Sequence, residues 1–262
     1  MPSLLGAYAT GAYLFLHLPL LILAVFSFNS SKFTVWQGFS LAWYRAAFAD
    51  RELIESSANS LIIGVSATVL ATIIGTLAAY AFSRFRIPLA DDLLFFILST
   101  RMMPPVAVAI PIYLMYRQLN LTDTWTGMIL LYTAVNVSLA VWLLKGFIDE
   151  IPREYEEAAL VDGYTRLQAL RKVVLPQAVT GIAATAIFCL IFSWNEYAFA
   201  VLLTSGDAQT MPPFIPFFIG EGGQDWPAVA AATTLFVIPI VLFTILLRRH
   251  LLRGITFGAV RK

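Results

Sequence analysis

Six apolar runs, each long enough to cross a lipid bilayer, recur along a chain of 262 residues, at about Leu4–Phe28, Ser57–Phe82, Asp92–Tyr116, Thr126–Leu144, Ala178–Leu203 and Pro227–Leu247. A hydrocarbon core takes roughly 20 residues of helix, and lipid offers no partner for a backbone N–H or C=O, so only helices and closed barrels span it. The runs are continuous rather than alternating, which selects helices. The expectation is an all-α integral membrane protein with six transmembrane helices. Composition excludes a large soluble domain: 59% of residues are hydrophobic and 13% charged, against about 25% charged in soluble domains. The first run lacks a basic leader and exceeds the roughly 7–15 apolar residues of a signal peptide, so it reads as a retained span.

Charge sets orientation. Lys and Arg resist translocation, and an even number of spans puts both ends on one side. Taking that side as the cytoplasm, the inner segments hold Arg84, Arg86, Lys145, Arg153, Arg166, Arg171, Lys172, Arg248, Arg249, Arg253, Arg261 and Lys262. The outer loops hold Lys32, Arg45, Arg51 and Arg117. Both termini are therefore expected in the cytoplasm. The net charge of +1 and the absence of a Lys/Arg-rich run argue against a nucleic-acid partner. Cys189, the one cysteine, lies in an apolar run and gives no disulfide framework.

Two runs have informative interiors. In the second, Ser60, Gly64, Ala67, Ala71, Gly75 and Ala78 recur three or four apart, forming a small-residue face where another helix can approach closely. The third contains Arg101-Met102-Met103-Pro104-Pro105 and Pro111. Proline removes backbone donors that lipid cannot replace, so this helix is expected broken and inside the bundle, near whatever passes through.

The longest inner segment, 145–177, is patterned as a helical hairpin. Pro152 suits a first helical position, and Glu154, Glu156 and Glu157 favour the positive end of the helix dipole. Ile151, Tyr155, Ala158, Ala159 and Asp162 share one face, with a flat alanine patch suited to a groove on another protein. Gly163 supplies a left-handed stop, Thr165 and Gln168 form a capping-box pattern, and Leu175-Pro176 is expected to end the second helix. An amphipathic hairpin lying on the membrane is the alternative, though it calls for a stronger apolar face.

Glu157-Ala158-Ala159, three residues, Gly163, nine residues, Val173, one residue, Leu175-Pro176 resembles the EAA signature of ATP-binding-cassette (ABC) importer permeases, with Val in place of the usual Ile. From about Ser60 onward the chain resembles the maltose-type sugar and polyol permeases of that family. Supporting features are the Met-Pro-Pro break with Leu121-Thr122-Asp123-Thr124-Trp125 after it, Trp194-Asn195-Glu196-Tyr197, and the tail Gly254-Ile255-Thr256-Phe257-Gly258-Ala259-Val260. The N-terminal fifth, with Ser27-Phe28-Asn29-Ser30-Ser31, Trp36-Gln37-Gly38-Phe39 and Trp43-Tyr44, resembles the polyamine permeases instead.

The resemblance implies the type I importer permease fold, with residues 1–55 as the first span and first periplasmic loop and 56–262 as the permease core. Within that core, 145–177 is the coupling hairpin and 248–262 a cytoplasmic tail. It implies that Glu157, Ala158, Ala159, Gly163, Leu175 and Pro176 couple the chain to a cytoplasmic ATPase. It implies as partners a second homologous permease, two copies of an ATP-binding subunit and an extracytoplasmic solute-binding protein, all at a bacterial inner membrane. ATP and Mg would sit in the partner subunits, with no cofactor on this chain.

Within the spans, Glu196 is a costly charge beside Trp194, Asn195 and Tyr197, groups suited to bonding and stacking on a hydroxyl-rich solute. With Arg101, Met102 and Pro104 they are the candidate substrate pathway. The alternative for Asn195 and Glu196 is a bond to a neighbouring subunit or to the broken third helix; Arg101 is expected either to pair with Glu196 or to cap carbonyls freed near Pro104. His17 reads as a packing residue. The chain has no G-x-x-x-x-G-K-[ST] phosphate loop, no H-E-x-x-H and no G-x-S-x-G, so energy must come from a partner. The rival reading is an ion-coupled secondary transporter in which Glu196 binds a proton or sodium and the broken helix forms the site.

Overall fold

The computed structural model describes residues 4–32, 35–218 and 225–257. Five helices among these are long and apolar enough to cross a membrane, and a sharply bent pair makes a sixth span. The expected six-helix architecture is thus present, with boundaries that differ in instructive ways.

The helices are α1 (Leu4–Phe26), α2 (Ala42–Ala49), α3 (Arg51–Arg84), α4 (Ala90–Arg101), α5 (Pro105–Gln118) and α6 (Trp125–Asp149). After them come α7 (Arg153–Val161), α8 (Arg166–Ala169), α9 (Leu175–Trp194), α10 (Ala198–Leu203), α11 (Met211–Phe214) and α12 (Trp226–Phe257). By compactness the chain forms two units, one of residues 1–58 and 210–240 and one of 59–209 and 241–262.

In the first unit, Ala47, Leu53, Met211, Phe214 and Ala232 form the core. The stretch after α1 folds on itself rather than running loose. The Asn29 side chain donates to Val35 O at 3.0 Å and accepts from Gln37 N at 3.0 Å, while Trp43 Nε1 donates to Asn29 O at 2.8 Å. Helix α1 has no buried residue over 5–26. His17 is exposed too; its Nδ1 lies 2.8 Å from Tyr13 O and its ring stacks on Tyr13, so it is a local contact and not the packing residue expected.

In the second unit α3, α6 and α9 form the centre. The small-residue face of α3 does what its spacing predicts: Ser60, Ala67 and Ala71 are buried, and a Cβ on Gly75 would stand 2.6 Å from that of Ala140 on α6. Backbones approach that closely only where one side chain is missing. Gly64 faces Leu190 and Ser193 of α9. Ala78 is only partly buried, and Ala79 takes the buried place in the last turns.

Two expected spans are broken. Helices α4 and α5 meet at 88° across Met102–Pro104, because Pro104 and Pro105 have no N–H to continue the ladder. The fifth span stops at Trp194 rather than running to Leu203: Asn195 to Tyr197 interrupt it before α10. Leu175-Pro176 does not end a helix. A π-helical turn, Leu170–Val174, joins α8 to α9, and Leu175 N donates to Leu170 O five residues back. Wider turns of this kind accommodate an inserted residue, and here one absorbs the missing donor and the ring of Pro176 near the start of α9.

Candidate functional site

The hairpin forms as its local signals dictate. Helix α7 follows Pro152, which is the N-cap rather than the first helical residue. Gly163 turns the chain at φ +87°, a conformation that costs an L side chain energy whatever the space around it. Thr165 and Gln168 make the full capping box: Thr165 N donates to Gln168 Oε1 at 2.8 Å and Gln168 N to Thr165 Oγ1 at 3.3 Å.

The alanine patch is divided. Ala158 is exposed, whereas Ala159 is buried against the chain's own core, since two helical neighbours point about 100° apart. The outward face carries Tyr155, Ala158, Val161 and Leu167, with Val161 88% exposed, and Glu157 is exposed beside it.

The inward face holds a residue that sequence reasoning took for a dipole partner. Glu156 is 3% exposed. It accepts a hydrogen bond from Tyr80 OH and one from Arg84 Nε at 3.0 Å. Arg84, at the last turn of α3, spends the rest of its guanidinium on Ser83 Oγ at 3.0 Å and on the Ile148 and Ile151 carbonyls at 3.1 and 2.9 Å. Arg166 lies 3.6 Å from the other Glu156 oxygen, and Arg153 donates to Ser83 O at 2.5 Å. Ser83 Oγ donates to Asp149, which also accepts from Lys145 at 2.6 Å. A cation at the carbonyl end of α6 is favourable for the dipole as well. The signal for Glu156 was its place in the stripe it shares with Ala159: a carboxylate on an apolar face requires a buried partner.

The candidate pathway residues come together only in part. Glu196 is not aimed at a cation; it caps α10, accepting from Phe199 N at 2.9 Å and Ala200 N at 3.0 Å, and takes Tyr132 OH at 3.0 Å. Asn136 Nδ2 donates to Ser193 Oγ at 2.9 Å, at the last-but-one residue of α9. Asn195 bonds back to Ile191 O at 2.8 Å, Trp194 is buried and Tyr197 is half exposed. Arg101 neither pairs with Glu196 nor caps the carbonyls near Pro104. It donates to Val135 O at 3.2 Å and lies over the Phe192 ring at 4.1 Å, because the bend turns the end of α4 toward α6 and α9. Met102 and Pro104 are exposed with the whole bend, 102–107. The break is therefore at the surface of this chain and not inside its own bundle. The tail residues Gly258 to Val260 lie outside the described residues.

Beyond the spans, Asp123 is the other dense polar site. Its carboxylate accepts from the backbone N–H of Ser205, Gly206, Asp207 and Ala208 at 3.1–3.2 Å. Burial pushes its carboxyl up, but the four N–H bonds outweigh burial and hold it below the ordinary carboxylate range. Asn59 ties the same loop to α3, donating to Asp207 O and Gln209 O at 3.0 Å and accepting from Trp125 Nε1 at 2.9 Å.

Against known proteins, residues 71–257 match the model of the binding-protein-dependent transport system inner membrane component family. A putative ABC transporter permease of Streptomyces antibioticus is 36% identical over 85% of this chain and 97% of its own length. A trehalose transport system permease of Mycobacterium tuberculosis is 36% identical over 83% of this chain and 81% of its own. In fold the chain is similar to a bacterial ABC transporter involved in alginate import, with a TM-score of 0.77, 23% identity and 94% of both chains covered. The chain belongs to the binding-protein-dependent transport system inner membrane component family. It is a permease subunit of the importer class, and the ion-coupled secondary transporter is set aside.

Proposed function

We propose that this family member is one of two permease subunits of a carbohydrate importer. It pairs with a second homologous permease, two ATP-binding subunits and an extracytoplasmic solute-binding protein, with both termini in the cytoplasm. The trehalose permease, at 36% identity over most of both chains, favours a sugar over the polyamine suggested by the N-terminal fifth. ATP and Mg belong to the partner subunits.

One observation carries the coupling role. The hairpin is held on one side by Glu156 and Arg84 and presents Tyr155, Ala158, Val161 and Leu167 to its surroundings on the other. Apolar groups left in water at the end of a rigid support favour a protein partner. In the proposed cycle, ATP binding closes the ATP-binding pair and moves the hairpin, which opens the spans outward to receive solute. Hydrolysis returns them inward. The exposed break at Met102–Pro104 interrupts the helix within a span, and irregular backbone is tolerated at that depth only away from lipid, so it faces the cavity shared with the second permease.

The reading is tested by co-purification of the tagged chain from its host in mild detergent. An ATP-binding pair and a second permease at fixed stoichiometry are expected, and uptake into vesicles should require internal ATP. Recovery of the chain alone with ion-driven uptake overturns it. Gly163→Asp, which forces a charged side chain into the φ +87° turn, should reduce uptake to background while the complex still assembles.

A further inference from the structure

We infer that Arg84 and Glu156 are positioning residues that make the hairpin and the end of α3 a single moving body. A displacement at the docking face then enters α3 directly instead of being absorbed by the connecting loops. The inference rests on the reading of the hairpin as the contact to an ATP-binding subunit.

Among the described residues this is the one ion pair with both side chains buried, each 4% exposed. Two pairs lie within a helix, Arg51 with Glu55 and Lys145 with Asp149, one turn apart and solvated; such pairs hold little. A buried pair behaves differently, because parting the charges leaves both without water or partner. Any motion that separates α7 from α3 is opposed for that reason, while motion of the two together is not.

The geometry spreads the attachment over four elements. Arg84 reaches Glu156 on α7, the carbonyl of Ile148 in the last turn of α6 and that of Ile151 in the link to α7. Tyr80, one turn earlier on α3, reaches the second oxygen of Glu156, and Arg166 of α8 approaches that same oxygen. A planar guanidinium fork makes these bonds at once, which an ammonium does not. Beyond the pair α3 is stiff: Gly75 sits directly against Ala140 and the backbone of Val141 on α6, with no long side chain between them to yield. Close backbone packing of this kind transmits a shift rather than damping it.

The test uses the assembled transporter with Cys189→Ser, and spin labels on cysteines introduced at Leu77, on the exposed side of α3, and at Glu154, exposed in the first turn of α7. The distance between labels is measured by pulsed electron resonance with and without a non-hydrolysable ATP analogue and Mg. The unmodified pair should give one distance that nucleotide does not change. In Glu156→Gln, which keeps the shape and removes the charge, nucleotide should shift and broaden the distance, and Arg84→Lys should do the same. A nucleotide-dependent shift in the unmodified pair, or invariance in Glu156→Gln, overturns the inference. If Glu156→Gln does not assemble, Tyr80→Phe, which removes one hydroxyl, is judged by the same criterion. Failure of ATP-binding subunits to co-purify with the unaltered chain defeats the underlying reading, and the inference with it. A complex that forms but whose hairpin slides on α3 defeats the inference alone.

Discussion

The two ends of α3 are both tied down, and by opposite means. At the Arg84 end, charged side chains from four elements meet each other: Arg84, Glu156, Asp149 and Arg166, with Tyr80 and Ser83 between them. At the Asn59 end the partners are mostly backbone. Asn59 bonds two carbonyls of the loop 207–209, and Asp123 gathers four consecutive N–H groups of 205–208. Backbone groups fix a shape, because their geometry follows from φ and ψ alone. Side chains meeting side chains fasten together elements that lie far apart in the sequence. The Asn59 end is therefore a moulded loop, while the Arg84 end is a joint between helices.

The comparison predicts unequal responses to substitution. The largest is at Arg84→Ala, which leaves Glu156 buried and unpaired; breaking a buried pair on one side costs about 3–5 kcal/mol. Thermal unfolding of the purified chain should show the full loss, and a loss below about 1 kcal/mol would place the Arg84 end with ordinary solvated pairs. Next comes Asp123→Asn, which keeps an acceptor but loses the charge, with an expected cost of about 1–2 kcal/mol. Its sign with pH follows from the lowered carboxyl: the contribution is whole above the unfolded value near 3.9 and is lost as pH falls through the lower folded value. The difference in melting temperature between the parent chain and Asp123→Asn should thus shrink on acidification below about pH 4, and a difference that grows would break the assignment. The smallest effect is at Thr124→Ala. Thr124 Oγ1 accepts from Gly127 N at 3.0 Å to start α6, and loss of such a cap costs about 1 kcal/mol, measurable as a small drop in melting temperature with uptake unchanged.

What could be read from the residues alone follows the range of the forces involved. Apolar run length gave all six spans, and local backbone chemistry gave the φ of Gly163 and the capping box of Thr165 and Gln168, since each depends on a few neighbouring residues. The break after Trp194 escaped notice because Asn195 and Glu196 sit in an otherwise apolar run, with no proline to mark it. Glu196 looked like a lone intramembrane charge, yet it is consumed by two N–H groups within four residues of itself. The pairing of Arg84 with Glu156 spans 72 positions, and no local pattern encodes such a contact. Each residue had a sufficient nearby explanation, Arg84 as an inner positive charge and Glu156 as a first-turn acid. The bend at Pro104 was legible; its exposure was not, because the surface a subunit offers to others is invisible in its own hydrophobic pattern.

The π-helical turn at Leu170–Val174 has a consequence for angular phase. An α-helix advances about 100° per residue, and a turn that takes in one residue more sets everything before it back by about that angle relative to everything after. The azimuth of α8, and of α7 through the turn at Gly163, is thereby recorded in a count of residues ahead of α9. Removing one residue from this turn would rewind it to α-helical geometry and swing the hairpin around the axis of α9, while the faces of α9 against α3 and α6 kept their registration. The direction in which this chain offers itself to a partner is thus written as an integer, one residue more than a regular helix needs.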